Sequence, residues 1–162
     1  MPVVPTARKY EPSARVAGSC LCGDVAFAAT VVPRVVVNCY CSPCRRSRAA
    51  AFSSTLPVPR EVFRWIRGAD RVRNYTSAAN TGAICGRHYT TDFCADCGSL
   101  APSAPEGHAA AMLPAGAIDT PFTRLPAAHL HVGSKVTWYE INDAWPQFAE
   151  LPPPERLTEL FQ

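Results

Sequence analysis

The distribution of its cysteines constrains this chain more than any other feature of the sequence. Eight cysteines occur in 162 residues, and all but Cys85 fall into three tight groups. The groups are Cys20 and Cys22; Cys39, Cys41 and Cys44; and Cys94 and Cys97. A tetrahedral zinc ion with Zn–S bonds of about 2.3 Å needs sulfur atoms about 3.8 Å apart, which close spacing in the sequence favours. The pattern therefore predicts metal ligation.

The two Cys-x-Cys pairs also impose a shape on the backbone. Alternate residues of a flat strand lie about 6.6 Å apart, so their sulfurs converge only at a bend or at the end of a strand. Gly23 follows Cys22 directly, and Pro43 lies inside the second group. Glycine and proline are the residues that such bends use. We therefore expect each cysteine group at a turn or a strand end.

Composition excludes several function classes. The chain is 48% hydrophobic and 18% charged, which indicates one folded domain rather than extended disorder. No apolar run approaches the roughly 20 residues that cross a bilayer, so no membrane partner is expected. The net charge of +3 is too small to indicate nucleic acid, and no nucleic-acid partner is expected. Residues 1–19 lack the apolar stretch of a secretory signal, which predicts a cytoplasmic protein in which structural disulfides are disfavoured.

Sixteen prolines and nine glycines speak against long helices and predict a mainly β fold of short strands with few short helical turns. Alternating apolar residues and β-formers predict strands within 24–37, with a turn at Pro33–Arg34, and at 52–57, 63–66, 72–77, 87–93, 109–113 and 129–132. Helical turns are expected over 45–51 and 60–63, and a polar loop over 77–82. Trp138, Tyr139 and Trp145 are expected to pack in the core.

Coordination number suggests how the thiols are shared. A structural zinc uses four protein ligands, whereas a catalytic zinc uses three and keeps an open position. The first and third groups together would make a four-thiolate site, and the middle group would hold a second metal alone. Two alternatives remain: the middle group closed by Cys85, and a redox dithiol at Cys94 and Cys97, which no thioredoxin-like pattern accompanies.

Three motifs carry a resemblance to a known family. They are Gly18-Ser19-Cys20-Leu21-Cys22-Gly23, then Asn38-Cys39-Tyr40-Cys41-Ser42-Pro43-Cys44-Arg45-Arg46, then Phe93-Cys94-Ala95-Asp96-Cys97-Gly98-Ser99. A later segment, His129-Leu130-His131-Val132-Gly133-Ser134-Lys135 with Trp138-Tyr139-Glu140-Ile141 and Pro146-Gln147-Phe148, adds to it. Over residues 15–148 the chain resembles the glutathione-dependent formaldehyde-activating enzymes, a family that also contains centromere protein V. In this chain Leu21 and Tyr40 stand where the family commonly has histidine.

The resemblance implies an Mss4-like (β-tent) zinc-binding fold. It also implies two zinc ions per chain: a structural ion on Cys20, Cys22, Cys94 and Cys97, and a catalytic ion on Cys39, Cys41 and Cys44. Residues 1–14 are then expected to form an extended N-terminal arm, residues 15–148 the zinc domain, and residues 149–162 a proline-rich C-terminal tail.

The activity that the resemblance implies is that of a carbon–sulfur lyase. Such an enzyme joins a glutathione-like thiol to a small aldehyde such as formaldehyde, or splits their adduct. The expected substrate-binding residues are Tyr40, inside the middle group, and Arg45 and Arg46, directly after it. The alternative for the arginines, with Arg48, is a solvated surface run. His129 and His131 alternate on a predicted strand, so one is expected to be buried and hydrogen-bonded; a metal-ligand or acid–base role for either is the alternative. Two other classes remain: a non-catalytic zinc module that binds a macromolecule, and a thiol carrier or zinc hydrolase on the same scaffold.

Overall fold

The computed structural model describes residues 15–30, 35–80, 88–121, 127–153, 155, 156 and 159. These residues form ten short strands and one α-helix, so the predicted mainly β fold is confirmed. The strands make three sheets, of three, five and two strands. Within the described residues, no helix has the length and apolar character needed to span a membrane.

The three-stranded sheet has the order β1-β2-β5 and is antiparallel throughout. Its strands are β1 (Val16–Ser19), β2 (Ala26–Ala29) and β5 (Phe63–Arg67). All four residues of β2 are buried, as expected for a central strand covered on both faces. β1 ends immediately before Cys20, so this sheet delivers the first cysteine group to its edge.

The five-stranded sheet has the order β10-β9-β3-β4-β8. Its strands are β3 (Val36–Cys39), β4 (Ser53–Pro59), β8 (Ala110–Pro114), β9 (Ala127–Leu130) and β10 (Gln147–Phe148). β3 pairs with β9 in parallel, which sets Cys39 opposite Leu130. The helix α1 (Ser42–Arg48) begins three residues after β3 ends, so the middle cysteine group lies at this strand–helix junction.

The two-stranded sheet is an antiparallel ribbon of β6 (Val72–Asn80) and β7 (His88–Cys94). Val72 is paired with Cys94, so the open end of the ribbon carries the third cysteine group. Short 3-10 turns precede β5 and β6, at Arg60–Val62 and Ala69–Arg71. Two more, at Ala115–Ala117 and Val132–Ser134, follow β8 and β9.

The main core lies between the three-stranded and five-stranded sheets. It draws on buried apolar residues of β1, β2, β4, β5 and β8: Val16, Phe27, Ala29, Leu56, Val58, Phe63, Ala111 and Leu113. The rings of Phe27 and Phe63 face each other with centroids 6.5 Å apart. Full burial of a side chain of this size contributes about 1.5–3 kcal/mol relative to an exposed one. This core therefore joins the two sheets that carry the first and second cysteine groups.

Two prolines lie where the sheet tolerates them, and one glycine lies where a side chain would clash. Pro57 and Pro59 lie in β4 beyond Thr55, where the pairing of β4 with β3 ends. Their missing N–H groups therefore remove no hydrogen bond to β3, although β4 still pairs there with β8. Gly18 lies in β1 against the Ala117 carbonyl, and a Cβ there would overlap that oxygen.

Several predicted bounds differ from the structure. The helix begins at Ser42 rather than 45, because proline at position 43 suits a first helical turn, and it ends at Arg48. The loop predicted from residue 77 is wrong up to Asn80, because pairing with β7 extends β6 to that residue. Strand β9 begins at Ala127 and stops at Leu130, after which His131 adopts a left-handed φ of 57°.

Two further differences concern burial and the N-terminal strand. Trp138 is 71% exposed, so its predicted place in the core is wrong. The sequence does not predict strand β1, because its four residues, Val-Ala-Gly-Ser, are mostly small and show no clear alternation of apolar and polar positions. The predicted arm over 1–14, the turn at Pro33–Arg34, and Cys85 lie outside the described residues.

Candidate metal centres

The first and third cysteine groups meet in one four-thiol cluster. Cys20, Cys22, Cys94 and Cys97 place their sulfurs within 4.8 Å of one another. The Sγ of Cys22 lies 3.3 Å from that of Cys20 and 3.8 Å from that of Cys94. These separations fit a tetrahedral zinc, which needs sulfurs about 3.8 Å apart. Cys20 and Cys94 are buried and Cys22 is exposed, so the cluster lies at the surface with one side closed.

Matching tight turns shape the two halves of this cluster. The Gly23 N–H donates to the Cys20 carbonyl, and Gly23 has a φ of 82°. The Gly98 N–H donates to the Cys94 carbonyl in the same way, with a φ of 72°. Both conformations lie in the left-handed region, which glycine adopts without penalty. The predicted bends after the cysteines are therefore present, and they curl each pair of sulfurs toward one point.

Hydrogen-bond donors and one arginine surround the four-thiol cluster. The Val25 N–H donates to Cys20 Sγ over 3.3 Å. Hydrogen bonding to Ser99 lowers the pKa of Cys97 to about 6. Arg71 lies 2.8 Å from Asp96, between Cys94 and Cys97, and 3.7 Å from Asp24, just after Cys22, so it links the two halves of the cluster. The donors to Cys20 and Cys97 favour the thiolate forms of these two cysteines, and the thiolate is the form in which cysteine binds a metal.

The middle group forms a separate three-thiol cluster. Cys39 is the last residue of β3, Cys41 caps the N-terminus of α1 with an extended backbone, and Cys44 lies in the first helical turn. Their three sulfurs lie within 4.8 Å of one another, with Cys39 Sγ 3.4 Å from Cys41 Sγ. Cys41 and Cys44 are buried, and Cys39 is partly exposed. The spacing fits three corners of a tetrahedral zinc site.

The ionisation of these three thiols is strongly shared. Hydrogen bonding from Cys39, and then from Cys44, lowers the pKa of Cys41 to about 3. The interaction with Cys41 raises the pKa of Cys39 to about 11. Hydrogen bonding with Cys39 and Cys41 also raises the pKa of Cys44. One thiolate is therefore stabilised by two protonated neighbours, and ionising all three requires a cation.

Tyr40, between two of the cysteines, points away from solvent. Its ring is fully buried and packs on Phe52 with centroids 5.1 Å apart. Its hydroxyl lies 2.9 Å from Nδ1 of His129, and Nε2 of His129 lies 3.0 Å from Oδ1 of Asp143. His129 is 2% exposed, which confirms that one of the two alternating histidines is buried and hydrogen-bonded. The buried Tyr40 ring contacts the protein interior rather than an open pocket.

The arginines that follow Cys44 occupy different environments. Arg45 is partly buried, and its Nε donates to the Tyr40 carbonyl over 3.1 Å. Arg46 is exposed. Arg48 donates to Ser53 and Thr91 and lines an open cleft of about 680 Å³ at the surface. Other residues lining this cleft include Cys20, Leu21, Phe52, Ser54, Ser99 and Asp119. The run that reads as one basic stretch in the sequence is therefore divided in space.

Three residues near the three-thiol cluster were not assigned to it from the sequence. Tyr89 packs against Cys41 and Cys44, and its hydroxyl lies 2.6 Å from the Ser47 Oγ. Asp143 lies 3.0 Å from His129, which in turn bonds to the Tyr40 hydroxyl. His131 contributes electrostatically at Cys41, and its buried Nε2 has no hydrogen-bond partner within the part of the chain that is described. The alternation of His129 and His131 is the one sequence signal that points to a histidine near the cluster. No sequence signal indicates Tyr89 or Asp143, because both are distant from the three cysteines in the sequence.

Comparisons with known proteins identify the family to which this sequence belongs. The family described as glutathione-dependent formaldehyde-activating enzyme matches residues 15–134. A crystal structure of a Rhodobacter sphaeroides protein, a structural genomics target, is 18% identical, with a TM-score of 0.49 over 69% of this chain and 99% of that one. No curated protein matches the sequence significantly. The family match spans both cysteine clusters, and the chain therefore belongs to the glutathione-dependent formaldehyde-activating enzyme family, whose fold is Mss4-like.

Proposed function

We propose that this protein is a zinc-dependent carbon–sulfur lyase that joins a glutathione-like thiol to a small aldehyde such as formaldehyde, or splits their adduct. One observation carries the proposal. Cys39, Cys41 and Cys44 gather three sulfurs within 4.8 Å, and among the described residues no fourth histidine, cysteine or acidic ligand atom lies that close to all three. Three protein ligands with an open corner are typical of catalytic zinc, whereas four closed ligands are typical of structural zinc.

The reaction needs few groups. A zinc ion at the three-thiol cluster would supply Lewis-acid binding for an incoming thiol and favour its thiolate form. The substrate sulfur then forms a bond to the aldehyde carbon, the carbonyl π electrons move to oxygen, and the proton lost by the thiol is returned to that oxygen. The product contains all the atoms of the thiol and the aldehyde, and no electrons are exchanged with another partner. In the reverse direction the same S–C bond breaks.

The negative charge of the thiolates gives the arginines that follow Cys44 a role in the proposed site. A substrate thiolate beside Cys39, Cys41 and Cys44 would bring four negative charges together, two more than a divalent ion neutralises. Arg45 and Arg46 supply cations directly after Cys44, and we assign them to the carboxylates of a glutathione-like substrate, which guanidinium groups bind in a bidentate way. The exposure of Arg46 supports this assignment, because its guanidinium is open to a ligand.

Tyr40 enters the proposal differently from the arginines. The sequence predicted a substrate contact for it, but its side chain is 0% exposed. We therefore propose that Tyr40 acts on the site through the backbone that it shares with Cys39 and Cys41.

The four-thiol cluster takes the structural zinc, because its ligands come from two turns that are distant in the sequence and because four thiolates complete the coordination shell.

Exchange spectroscopy by NMR tests the proposed activity directly. Glutathione and formaldehyde equilibrate with their hydroxymethyl adduct in solution, and magnetisation transfer measures the interconversion rate. We expect the zinc-loaded protein to raise this rate above the uncatalysed value, and Cys41→Ser to return it to background. Ser42→Ala, an exposed neighbouring change, is the matched control and should keep the activity. A wild-type protein with two bound zinc ions that leaves the rate unchanged would overturn the proposal.

One observation favours a second candidate, a non-catalytic zinc module. The buried Nε2 of His131 has no partner among the described residues, and His131 acts electrostatically on Cys41. If His131 moved to become a fourth ligand, the site would be closed and structural. His131→Phe then separates the two functions. Faster zinc loss from the middle site in this variant would favour the module, and an unchanged rate of zinc loss would favour the enzyme.

A further inference from the structure

A chain of hydrogen bonds, buried at Tyr40 and His129 and partly exposed at Asp143, connects the three-thiol cluster to the C-terminal part of the domain. The Tyr40 hydroxyl, both ring nitrogens of His129 and the Asp143 carboxylate follow one another at 2.9 and 3.0 Å. Asp143 Oδ1 also accepts the Trp145 N–H over 3.0 Å. Tyr40 and His129 are 0% and 2% exposed. Polar groups buried this deeply destabilise a protein unless they are hydrogen-bonded, so the chain is a built feature of the interior.

The Asp143 carboxylate, the acceptor at the end of this chain of hydrogen bonds, determines which group donates at each link. An ionised Asp143 can only accept, so Nε2 of His129 carries a proton and donates it. In the neutral imidazole Nδ1 is then the acceptor, and the Tyr40 hydroxyl donates to it. Each member thus fixes the orientation of the next. A carboxylate that orients an imidazole in this way is a common device around metal sites.

The same chain of hydrogen bonds restrains Tyr40, the residue between the metal ligands Cys39 and Cys41. The Tyr40 N–H donates to the Leu130 carbonyl over 2.9 Å, and the Tyr40 carbonyl accepts from Arg45. With the hydroxyl on His129, the N–H, carbonyl and hydroxyl groups of Tyr40 are all hydrogen-bonded. A residue held at three points cannot rotate its backbone freely. The flanking Cys39 and Cys41 therefore keep the orientation that brings their sulfurs to 3.4 Å.

We propose that Tyr40, His129 and Asp143 are positioning residues that hold the three-thiol loop in its metal-binding conformation. They touch neither the metal nor the substrate and act through the backbone of Tyr40. The ligand is a thiolate-preferring divalent cation, zinc or its spectroscopic substitute cobalt. This inference rests on metal binding by the three-thiol cluster, which is one part of the proposed function, and does not depend on the reaction.

Metal affinity measured site by site tests the proposal. Cobalt substitution gives visible absorption bands that report ligand geometry, and Cys41→Ser identifies the bands of the three-thiol site by removing them. Tyr40→Phe keeps the ring and deletes only the hydroxyl. We expect it to weaken metal binding at the three-thiol site by about tenfold, the lower end for loss of an outer hydrogen-bond partner, and to alter the bands of that site. The four-thiol site is the internal reference and should be unchanged.

Further variants distinguish a connected chain of hydrogen bonds from general packing damage. Tyr40→Phe combined with His129→Phe should weaken metal binding no more than either change alone, because both break the same link. Asp143→Asn, which keeps an acceptor oxygen, should have a smaller effect than His129→Phe. Phe52→Leu is the matched control, since it removes ring packing on Tyr40 but none of these hydrogen bonds.

The outcomes separate cleanly. Unchanged affinity and bands in Tyr40→Phe would overturn the proposal, as would equal weakening of both sites, which indicates loss of stability alone. A wild-type protein that binds metal only at the four-thiol site would overturn it too. If the wild type binds two metals and the variants behave as expected, but no adduct exchange is catalysed, the positioning role stands and the proposed activity fails.

Discussion

Cys22 Sγ lies 3.8 Å from Cys94 Sγ, although 72 positions separate the two residues in the chain. The two cysteines belong to different sheets: Cys22 follows β1, and Cys94 ends β7. A metal shared by them closes a long loop, and such a cross-link removes much conformational entropy from the unfolded chain. The four-thiol cluster therefore joins the three-stranded sheet to the two-stranded ribbon.

Cys94→Ala is expected to unfold the domain or leave it insoluble. The Cys94 thiol is fully buried, and metal-binding free energy at a four-thiolate site is largely folding free energy. Circular dichroism and zinc content together measure the outcome. A soluble variant with the native spectrum and one fewer tightly bound zinc would show that this site is dispensable for the fold.

Cys41→Ser is expected to keep the fold while removing the second zinc and the activity. Cys39 and Cys44 lie close to Cys41 in the sequence, so a metal bound by the three closes only a short loop. Its loss should therefore change the entropy of the unfolded chain little. Zinc content should fall from two ions to one per chain, with an unchanged thermal unfolding midpoint within a few degrees. Full turnover in this variant would contradict the catalytic assignment.

Cys85→Ala decides between the open three-thiol site and the alternative in which Cys85 closes it. With the open site, both zinc ions should remain and the rate of zinc transfer to a chelator should not change. With the closed site, the middle zinc would be lost much faster, because one of its four ligands is missing. Stopped-flow mixing with a chromogenic chelator measures the rate.

Arg46→Ala is expected to weaken glutathione binding by about 1.5–3 kcal/mol, the range for a charge-assisted hydrogen bond. Turnover at saturating thiol should fall less, because ground-state binding rather than bond formation is lost. Arg73→Ala, an exposed arginine on β6, is the matched control. Calorimetric titration at equal zinc content makes the comparison, and an Arg46→Ala change within about 0.5 kcal/mol would remove this arginine from the site.

Gly18→Ala is expected to destabilise the domain by several kcal/mol, on the order of a severe core change. The added Cβ would overlap the Ala117 carbonyl and approach Phe27 Cζ to 2.6 Å, and neither backbone nor core ring can move freely. Gly116→Ala is the control, because a Cβ there meets nothing within 4 Å. Chemical denaturation of both variants gives the free energies of unfolding; equal values would show that β1 shifts to make room.

The sequence by itself was enough to predict the local features of the site. The short spacing within each group predicted converging sulfurs, and glycine after Cys22 predicted the turn that the positive φ of Gly23 confirms. The mainly β fold followed from proline and glycine content and from alternation in segments such as β2. These properties depend on neighbours within a few residues, so periodicity and turn chemistry determine them.

Long-range relationships required the tertiary structure. The parallel pairing of β3 with β9 brings His129 to Tyr40, 89 positions away, and no local pattern encodes that register. Tertiary packing also buries Tyr40 and leaves Arg46 exposed, and pairing with β7 in a separate sheet extends β6 to Asn80. Side-chain spacing along the chain determines which sulfurs can share an ion, whereas burial and hydrogen-bond partners depend on which strands lie side by side. That choice is made by the core between the sheets, where distant apolar residues are excluded from water together.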